Sequence, residues 1–229
     1  MTALVLAALA WLLLHVVVAG PLRPGLIVRM GLPTYRGLFS ALSAAALAAL
    51  IWTYGSAPYI ELWPTTSALA AVPVVVMPVA LLLLVGSLRA SNPTSAGPDM
   101  LMRGRNEELP VRGFTRITRH PMLWAFTLWA GSHMIANGDV ATMILTGVIL
   151  VTSVNGMFSI DRKRAAEFGD KWQRFIDKTS IFPFAAAAAQ RVTLRFSDIG
   201  WINIIGAAAL YAIFLWAHAT LFGVPAYYP

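Results

Sequence analysis

The stretch Arg116 to Asp139, RITRHPMLWAFTLWAGSHMIANGD, contains both the start and the end of an apolar helix. Pro121 suits the first turn of a helix, because the N–H that proline lacks has no partner inside a helix at that position. The sequence Asn137-Gly138-Asp139 is a tight-turn signal that ends the apolar run. A second apolar run begins at Val140. The stretch therefore predicts a helical hairpin whose first helix covers Pro121 to Ala136.

The composition of the whole chain is that of a membrane protein. Of its 229 residues, 58% are hydrophobic and 12% are charged, against about 25% charged in an ordinary soluble domain. Five further runs approach the roughly 20 apolar residues that cross a bilayer: Ala3 to Ala19, Leu38 to Ala57, Leu69 to Leu88, Val140 to Ile160 and Ile202 to Phe222. We therefore predict an all-α membrane bundle of about six transmembrane helices that forms a single domain over residues 1–229.

The positions of the basic residues predict the orientation of this bundle. All 17 Lys and Arg residues lie in three loops, 23–36, 89–119 and 162–195, which follow the first, third and fifth apolar runs. By the positive-inside rule these loops face the cytoplasm and both termini face the periplasm. The same distribution accounts for the net charge of +7 without a nucleic-acid partner.

The N-terminal run Ala3 to Ala19 has no basic residue before it, so we expect a retained span rather than a signal peptide. A span at the very N-terminus, with no transit peptide, favours the inner membrane of a bacterium. The lipid bilayer is thus the first partner that the sequence predicts, and the oligomeric state is left open.

The stretch Arg162 to Ile176 is expected to form an amphipathic helix on the cytoplasmic membrane surface. Its apolar residues recur at intervals of three and four, with basic residues between them: Ala165, Phe168, Trp172, Phe175 and Ile176. Such spacing is typical of a helix with one apolar face, and its aromatic residues favour an interfacial position over an ordinary solvated loop.

The chain has four histidines, all in or beside an apolar run: His15, His120, His133 and His218. Ionisable residues inside a membrane are costly, so each is a candidate functional group. The alternative is a neutral histidine that hydrogen-bonds a neighbouring helix. His120 and His133 lie about 20 Å apart along one helix, so they cannot bind the same ion. Depth in the predicted spans pairs His133 with His218, and His15 with His120.

Three of these histidines follow an aromatic residue by one helical turn, in the pairs Trp11–His15, Trp129–His133 and Phe214–His218. Residues four apart lie on one face of a helix. A flat apolar cofactor held by imidazole, such as haem, suits such an aromatic wall. Aromatic residues make up 11% of the chain, so plain packing explains the same pairs.

Arg116, Arg119 and His120 form the best candidate anion site of the sequence. They directly precede Pro121, and a helix N-terminus adds partial positive charge and free N–H groups. A carboxylate, a phosphate or a haem propionate fits such a cluster. For Arg116, contact of a basic loop with lipid headgroups is the alternative.

Residue types disfavour other kinds of site. The chain has no cysteine, which excludes disulfides and thiolate ligands for a metal. The six predicted spans contain no acidic residue, whereas a di-iron site in a bundle needs glutamates. The sequence also lacks the HExxH, Walker and GxSxG motifs.

A resemblance to NnrU-family membrane proteins is carried by five segments in this order: HVVVAGPLR, YRGLFSALS, TYGSAP with a following LW, RITRHPMLWAFTLWAGSHMIANGD and FGDKWQRFIDKTSIFPF. This family is associated with nitrite and nitric oxide metabolism. It also resembles the plastid zeta-carotene isomerase, which uses haem b to isomerise a central cis double bond. The resemblance implies haem b held by His15 and His133. The isomerase has a cysteine three residues before its second histidine, where this chain has Ala130.

A more distant resemblance is to isoprenylcysteine and phospholipid methyltransferases. It is carried by Arg119-His120-Pro121 and by later residues, which are Phe168-Gly169, Trp172, Phe175 and Pro183. It implies S-adenosylmethionine bound at the cytoplasmic Arg-His-Pro motif. Leu123 replaces the usual tyrosine, and the acidic pair of those enzymes is reduced to Asp161, so acceptors for the cations of that cofactor are lost.

We therefore expect a haem-b-binding membrane protein in which Trp11 and Trp129 help to line the haem pocket. Arg116, Arg119 and His120 would hold an anionic group at its cytoplasmic mouth. The protein would act as an isomerase or redox protein on an apolar, carotenoid-like substrate, or in nitrogen-oxide metabolism. The alternatives are an S-adenosylmethionine-dependent membrane methyltransferase and a non-enzymatic assembly factor for denitrification enzymes.

Overall fold

A computed structural model describes residues 1–89, 92–94 and 108–227, so most of the second basic loop lies outside the described residues. In chain order the α-helices are α1 Thr2–Leu12, α2 Arg23–Met30, α3 Leu32–Gly55, α4 Ser67–Arg89, α5 Pro121–Ala136, α6 Val140–Phe168, α7 Asp170–Lys178, α8 Ala185–Ala188 and α9 Trp201–Phe222. A π-helical segment, Leu13–Val18, continues α1, and 3-10 turns lie at Gly113–Arg116 and Phe196–Asp198. The prediction of an all-α membrane protein is confirmed.

Four helices of the described chain are long and apolar enough to cross a membrane, namely α3, α4, α6 and α9. A fifth span results if α1 with its π-helical segment is counted together with α2, to which it is joined at a bend of 76°. The predicted fourth span is helix α5, which has only 16 residues. That length is about 24 Å, less than the roughly 30 Å of a bilayer core. Four to five spans are thus supported, and the expected count of six is not confirmed.

The chain divides into two compact units. The first unit consists of Met1–Pro73 and Ala130–Gly156, and the second of Val74–Trp129 and Met157–Tyr228. Each unit draws on both halves of the sequence.

The core of the first unit joins α1, α3 and α6. Its buried members are Leu4, Ala8, Trp11, Leu50, Ala141 and Val148. Small side chains such as Ala8 and Ala141 allow close approach of neighbouring helix backbones. Two hydrogen bonds between side chains link these helices, one from Trp11 Nε1 to Thr152 Oγ1 at 2.9 Å and one between Tyr54 and Thr142 at 3.0 Å.

The connection between α5 and α6 is the predicted tight turn. Backbone N–H groups of Leu62 and Trp63 donate to the carbonyl of Gly138 at 2.6 and 3.1 Å, and Val140 N donates to the carbonyl of Ile60. A Cβ at position 138 would overlap the carbonyl and indole ring of Trp63. Glycine is therefore required there for steric reasons, and the predicted bounds of α5 are confirmed.

The second unit packs the Gly113–Arg116 turn against α4 and α5. Phe114 is buried together with Leu83 and Ala125. The ring of Phe114 lies where a side chain at Gly86 would be. At the other end of α4 the hydroxyl of Tyr211, in α9, donates to the carbonyl of Val74 at 3.0 Å.

The expected amphipathic helix of the third basic loop is divided at Gly169. Residues 162–168 continue α6, Gly169 takes a positive φ of 53°, and α7 follows. Helix α7 is amphipathic, as predicted, but Trp172 and Phe175 are only 2% and 1% exposed. Because these rings pack inside the protein, they are not available to anchor α7 in lipid.

Candidate functional site

His15 lies in the π-helical segment that continues α1. Such segments are rare, usually a single turn long, and frequent at functional sites. The Nδ1 atom of His15 is 3.0 Å from the carbonyl oxygen of Trp11. Since a carbonyl only accepts, Nδ1 carries the hydrogen and Nε2 of the neutral ring keeps a lone pair. Histidines that bind metals commonly have this arrangement, with the second nitrogen donating to a carbonyl.

Two aromatic side chains hold the ring of His15. Trp11 stacks on it with ring centroids 3.9 Å apart and planes inclined by 25°, and Phe39 meets it edge-on at 5.5 Å. Trp11 is itself buried and is fixed by its bond to Thr152. The predicted pairing of Trp11 with His15 is confirmed, and its physical effect is to orient the imidazole.

The π-helical segment ends in a close backbone approach. The N–H of Ala19 donates to the carbonyl of Leu14 at 2.9 Å, and the N–H of Leu22 to that of Val17 at 3.1 Å. A Cβ at Gly20 would overlap the carbonyl oxygen of Val16. Glycine at position 20 is thus required for the close approach of the backbone to the carbonyl of Val16, just before α2.

His133 lies in the last turn of α5 and belongs to the same unit as His15. Its carbonyl accepts hydrogen bonds from the backbone N–H and the side-chain amide of Asn137, both at 3.0 Å. Its Nδ1 atom is 3.5 Å from the hydroxyl of Ser132. Trp129 is one turn earlier in α5 but belongs to the second unit.

His218, the alternative ligand, lies in α9 of the second unit. Its Nδ1 atom is 2.7 Å from the carbonyl of Val224, so that nitrogen also carries the hydrogen. Its ring packs on Phe222, four residues later, whereas the sequence pattern had pointed to Phe214.

The described residues contain no group of three or more His, Cys, Asp or Glu that could hold a metal ion. Haem iron needs only axial ligands from the protein.

The Arg-His-Pro motif forms a second, distinct cluster. Arg119 donates from Nε and Nη2 to Oδ2 of Asp161 at 2.9 and 2.6 Å, and Nε2 of His120 is 2.8 Å from Oδ1. Asp161 lies in α6, one residue beyond the predicted fifth span. Both oxygens of its carboxylate are thus bonded by the chain itself. A carboxylate of this protein takes the position at which we had expected an external anion.

Burial lowers the pKa of His120 below its ordinary value, although the hydrogen bond and the charge of Asp161 act in the opposite direction. The ring is therefore neutral at pH 7 and donates from Nε2 to Asp161. Its Nδ1 atom is buried and has no hydrogen-bond partner in the described part of the chain. His120 itself is 1% exposed, so it is not placed to meet a soluble ligand.

Hydrogen bonds to backbone carbonyls fix the Arg-His-Pro motif to the segment after α7. Arg119 N donates to the carbonyl of Ser180 at 2.9 Å, and the indole of Trp124 donates to that of Ile181 at 2.8 Å. The hydroxyl of Thr118 also donates to Ile181, at 2.6 Å. These contacts make the motif a rigid support for the start of α5.

Arg116 is separated from the other two members of the predicted anion cluster. Its Nη1 donates to the carbonyl of Thr193 at 2.7 Å, and its Nε is 2.8 Å from Oδ2 of Asp198. That second contact is an ion pair rather than a hydrogen bond, because neither atom has a hydrogen-bond partner of acceptable angle among the described residues. The structure therefore brings together Arg119 and His120, with Arg116 on a different partner.

The sequence profile of the NnrU protein family matches residues 3–226. The chain belongs to the NnrU family. It is also similar to the 15-cis-zeta-carotene isomerase of Arabidopsis thaliana, with 28% identity over 82 residues that cover 36% of this chain and 22% of that chloroplastic protein. For the Zea mays isomerase the identity is 27% over 74 residues, 32% of this chain and 20% of that protein. The chain thus matches about a fifth of the length of these relatives. No solved structure matches it.

Sequence reasoning missed several residues of this NnrU-family chain that support the histidines. Phe39 and Thr152 act on residues distant in the sequence, so no local spacing predicts them. Asp161 was named from the sequence only as what remains of an acidic pair, and its bond to His120 was not predicted. A polar residue in an apolar helix, as Thr152 is, was the one available signal, since such a group needs a partner inside a membrane.

Proposed function

We propose that this NnrU-family protein binds haem b in its first unit, where His15 and His133 would hold the iron. The observation that carries the proposal is the hydrogen bond from His15 Nδ1 to the carbonyl of Trp11, which leaves Nε2 as a ligand atom. Stacking on Trp11 and the edge contact of Phe39 hold the imidazole in one orientation. His133 belongs to the same compact unit, which supports its choice over His218.

We further propose that the protein is an isomerase or redox protein that acts on an apolar polyene. The support is its similarity to two 15-cis-zeta-carotene isomerases. When bound, haem would supply an iron centre that can hold a double bond or exchange an electron. Residues of this chain would hold the cofactor, orient His15 and keep water from its ring. The substrate would enter from the bilayer in which the apolar helices lie.

The proposed location is the inner membrane of a bacterium, with both termini on the periplasmic side. The distribution of basic residues supports this orientation, since all of them lie in three loops. A link to nitrogen-oxide metabolism is part of the same proposal.

No structural observation favours a methyltransferase. S-adenosylmethionine carries an ammonium and a sulfonium, and a site for it needs carboxylates or carbonyls with free lone pairs. Asp161 is the acidic residue of the relevant motif, but Arg119 already compensates its charge, and Arg119 and His120 together use three of the roughly four acceptor sites of its carboxylate. An assembly role without catalysis would require no cofactor.

The test is the visible spectrum of the full chain purified in detergent after haem supplementation. We expect a Soret band in the parent protein that is lost or shifted in His15→Ala and in His133→Ala. His218→Ala is the matched control and should keep the parent spectrum. Monodisperse elution of each variant on gel filtration ensures that a lost band is not a folding failure.

Two results would overturn the haem proposal: no Soret band in the parent protein, or the same band in all three variants. Loss of the band in His15→Ala and His218→Ala, with His133→Ala unchanged, would replace His133 by His218. The proposed isomerase activity is tested separately, by measuring the conversion of a 15-cis polyene to its trans isomer in haem-loaded micelles.

A further inference from the structure

The second unit has a cleft of about 350 Å³ that contains none of the histidines. Its lining consists of three cationic and three aliphatic side chains: Arg116, Lys178, Arg191, Leu109, Val111 and Val192. None of the described carboxylates lines it. Positive charge and apolar surface therefore meet in one concave site, which is the combination that an anionic amphiphile needs.

Two cationic side chains of this cleft, Lys178 and Arg191, have N–H donors that no described residue uses. Lys178 makes no hydrogen bond or ion pair within the part of the chain that the structure describes. Arg191 donates from Nη1 alone, to the carbonyls of Ile176, Asp177 and Thr179 at 3.2, 2.9 and 3.2 Å. This fixes its guanidinium at the C-terminal end of α7. Its Nε and Nη2 atoms are not used by described residues.

The acidic residues around the cleft already have partners. Asp198 pairs with Arg116 at 2.8 Å, and Glu108 pairs with Arg174 at 2.8 Å. Asp177 accepts a hydrogen bond from the side chain of Gln173. Lys178 and Arg191 therefore have no carboxylate within ion-pair distance in the described chain, and the charge of Lys178 acts on Glu108 only from farther away.

The cleft lies at the level where a span begins. Asp198, the partner of Arg116, comes three residues before Trp201, the first residue of α9. The side chains of Phe196 and Trp201 are exposed, at 93% and 70%. Exposed aromatic residues beside the end of an apolar helix are typical of the boundary between lipid and water. Lipid phosphates are found at that depth.

We propose that this cleft binds the phosphate group of an anionic phospholipid. Lys178 and Arg191 hold the phosphate oxygens by charge-assisted hydrogen bonds, as basic side chains do elsewhere. Leu109, Val111 and Val192 contact the glycerol and the first carbons of the acyl chains. The site is independent of haem, since it lies in the second unit and involves no histidine.

The experiment measures lipid binding to the full chain in a neutral detergent by native mass spectrometry. Phosphatidylglycerol is titrated against the parent protein and against Lys178→Gln, with phosphatidylcholine as the zwitterionic reference lipid. Lys178 is exposed and makes no hydrogen bond or close ion pair among the described residues, so this variant is expected to keep the fold. Arg195→Gln is the matched control, because Arg195 is an exposed cation of the same unit outside the cleft.

We expect the parent and Arg195→Gln proteins to bind phosphatidylglycerol equally. Lys178→Gln should bind it about fivefold more weakly, the effect of one basic residue at a membrane surface. Lys178→Arg should restore binding. Equal loss in Lys178→Gln and Arg195→Gln would overturn the proposal, since it would show only general attraction to a basic surface.

A separate arm distinguishes a lipid from a free anion. Inorganic phosphate at millimolar concentration is added without lipid, and the thermal unfolding temperature is recorded. We expect no shift with phosphate and an increase with phosphatidylglycerol. An equal increase with both would assign the cleft to a free anion and overturn its assignment to lipid.

Discussion

Nε2 of His120 lies 2.8 Å from Oδ1 of Asp161, a residue 41 positions later in the chain. The same carboxylate accepts two hydrogen bonds from the guanidinium of Arg119. The start of α5 is thereby fixed to the C-terminal part of α6. The basic motif that marks the start of α5 in the sequence thus serves the packing of the second unit.

The first prediction concerns the removal of this carboxylate charge. Asp161→Asn leaves the mostly buried guanidinium of Arg119 without its counter-charge, and breaking such a pair costs about 3 kcal/mol. We expect the free energy of unfolding in detergent to fall by about 3 kcal/mol. Asp170→Asn is the control: Asp170 is exposed in the first turn of α7, and its loss should cost about 0.5 kcal/mol. Equal losses would contradict a structural role for Asp161.

The second prediction is a pH dependence that arises from His120. Burial lowers the pKa of His120 in the folded protein, while the unfolded chain keeps a pKa of about 6.5. Below about pH 6.5 the unfolded chain therefore takes up a proton that the folded chain does not, and stability falls. This contribution is present above the unfolded pKa and is lost on acidification. The measurement is the unfolding temperature at about pH 7.5 and at about pH 5.5.

His120→Gln isolates that effect, because glutamine retains an N–H donor for Asp161 but does not titrate. The variant should lose less stability than the parent protein over the same pH interval. His218→Gln, with a histidine less buried than His120, should behave like the parent. A parent-like loss of stability in His120→Gln would show that other groups cause the pH dependence.

Both boundaries of α5 and the end of α9 could be predicted from the sequence, because local chemistry sets them. Pro121 starts α5 and the Asn137-Gly138-Asp139 turn ends it, so the predicted range agrees with the structure. The end of α9 at Phe222 was predicted in the same way, from an apolar run. Such signals lie within the element that they define.

Features that depend on distant residues could not be predicted in this way. The π-helical segment Leu13–Val18 has an apolar sequence like any span, so the bend before α2 has no local signature. The aromatic spacing around Trp172 shows that a helix has an apolar face, but it does not show whether lipid or protein covers that face. Asp161 has partners 41 and 42 positions away. The spacing of the Arg-His-Pro motif therefore suggested an external anion.

The third prediction tests the steric requirement at the turn between α5 and α6. Gly138→Ala places a methyl group against the carbonyl and indole of Trp63, and such overpacking costs about 1–3 kcal/mol. The pairing of residues 60–63 with the turn should be lost as well, which hydrogen exchange at Leu62 and Trp63 would detect. Gly55→Ala is the control, because nothing lies within 4 Å of a Cβ at that position. It should be neutral or stabilise by about 0.5 kcal/mol.

The fourth prediction concerns the support of His15 by Trp11. Trp11→Phe keeps an aromatic ring beside the imidazole but removes the 2.9 Å hydrogen bond to Thr152. The expected loss is about 1 kcal/mol, whereas Trp216→Phe, at a residue 86% exposed, should have no effect on unfolding.

A double-mutant cycle with Thr152→Val separates that hydrogen bond from ring packing. Thr152→Val leaves the buried indole N–H without an acceptor, which costs about 1–3 kcal/mol. In the presence of Trp11→Phe the same change should cost less, because no donor is then left unpaired. The coupling energy between the two changes should exceed about 0.5 kcal/mol. Additive losses would mean that Trp11 holds His15 by packing alone, and that the bond to Thr152 contributes nothing to that arrangement.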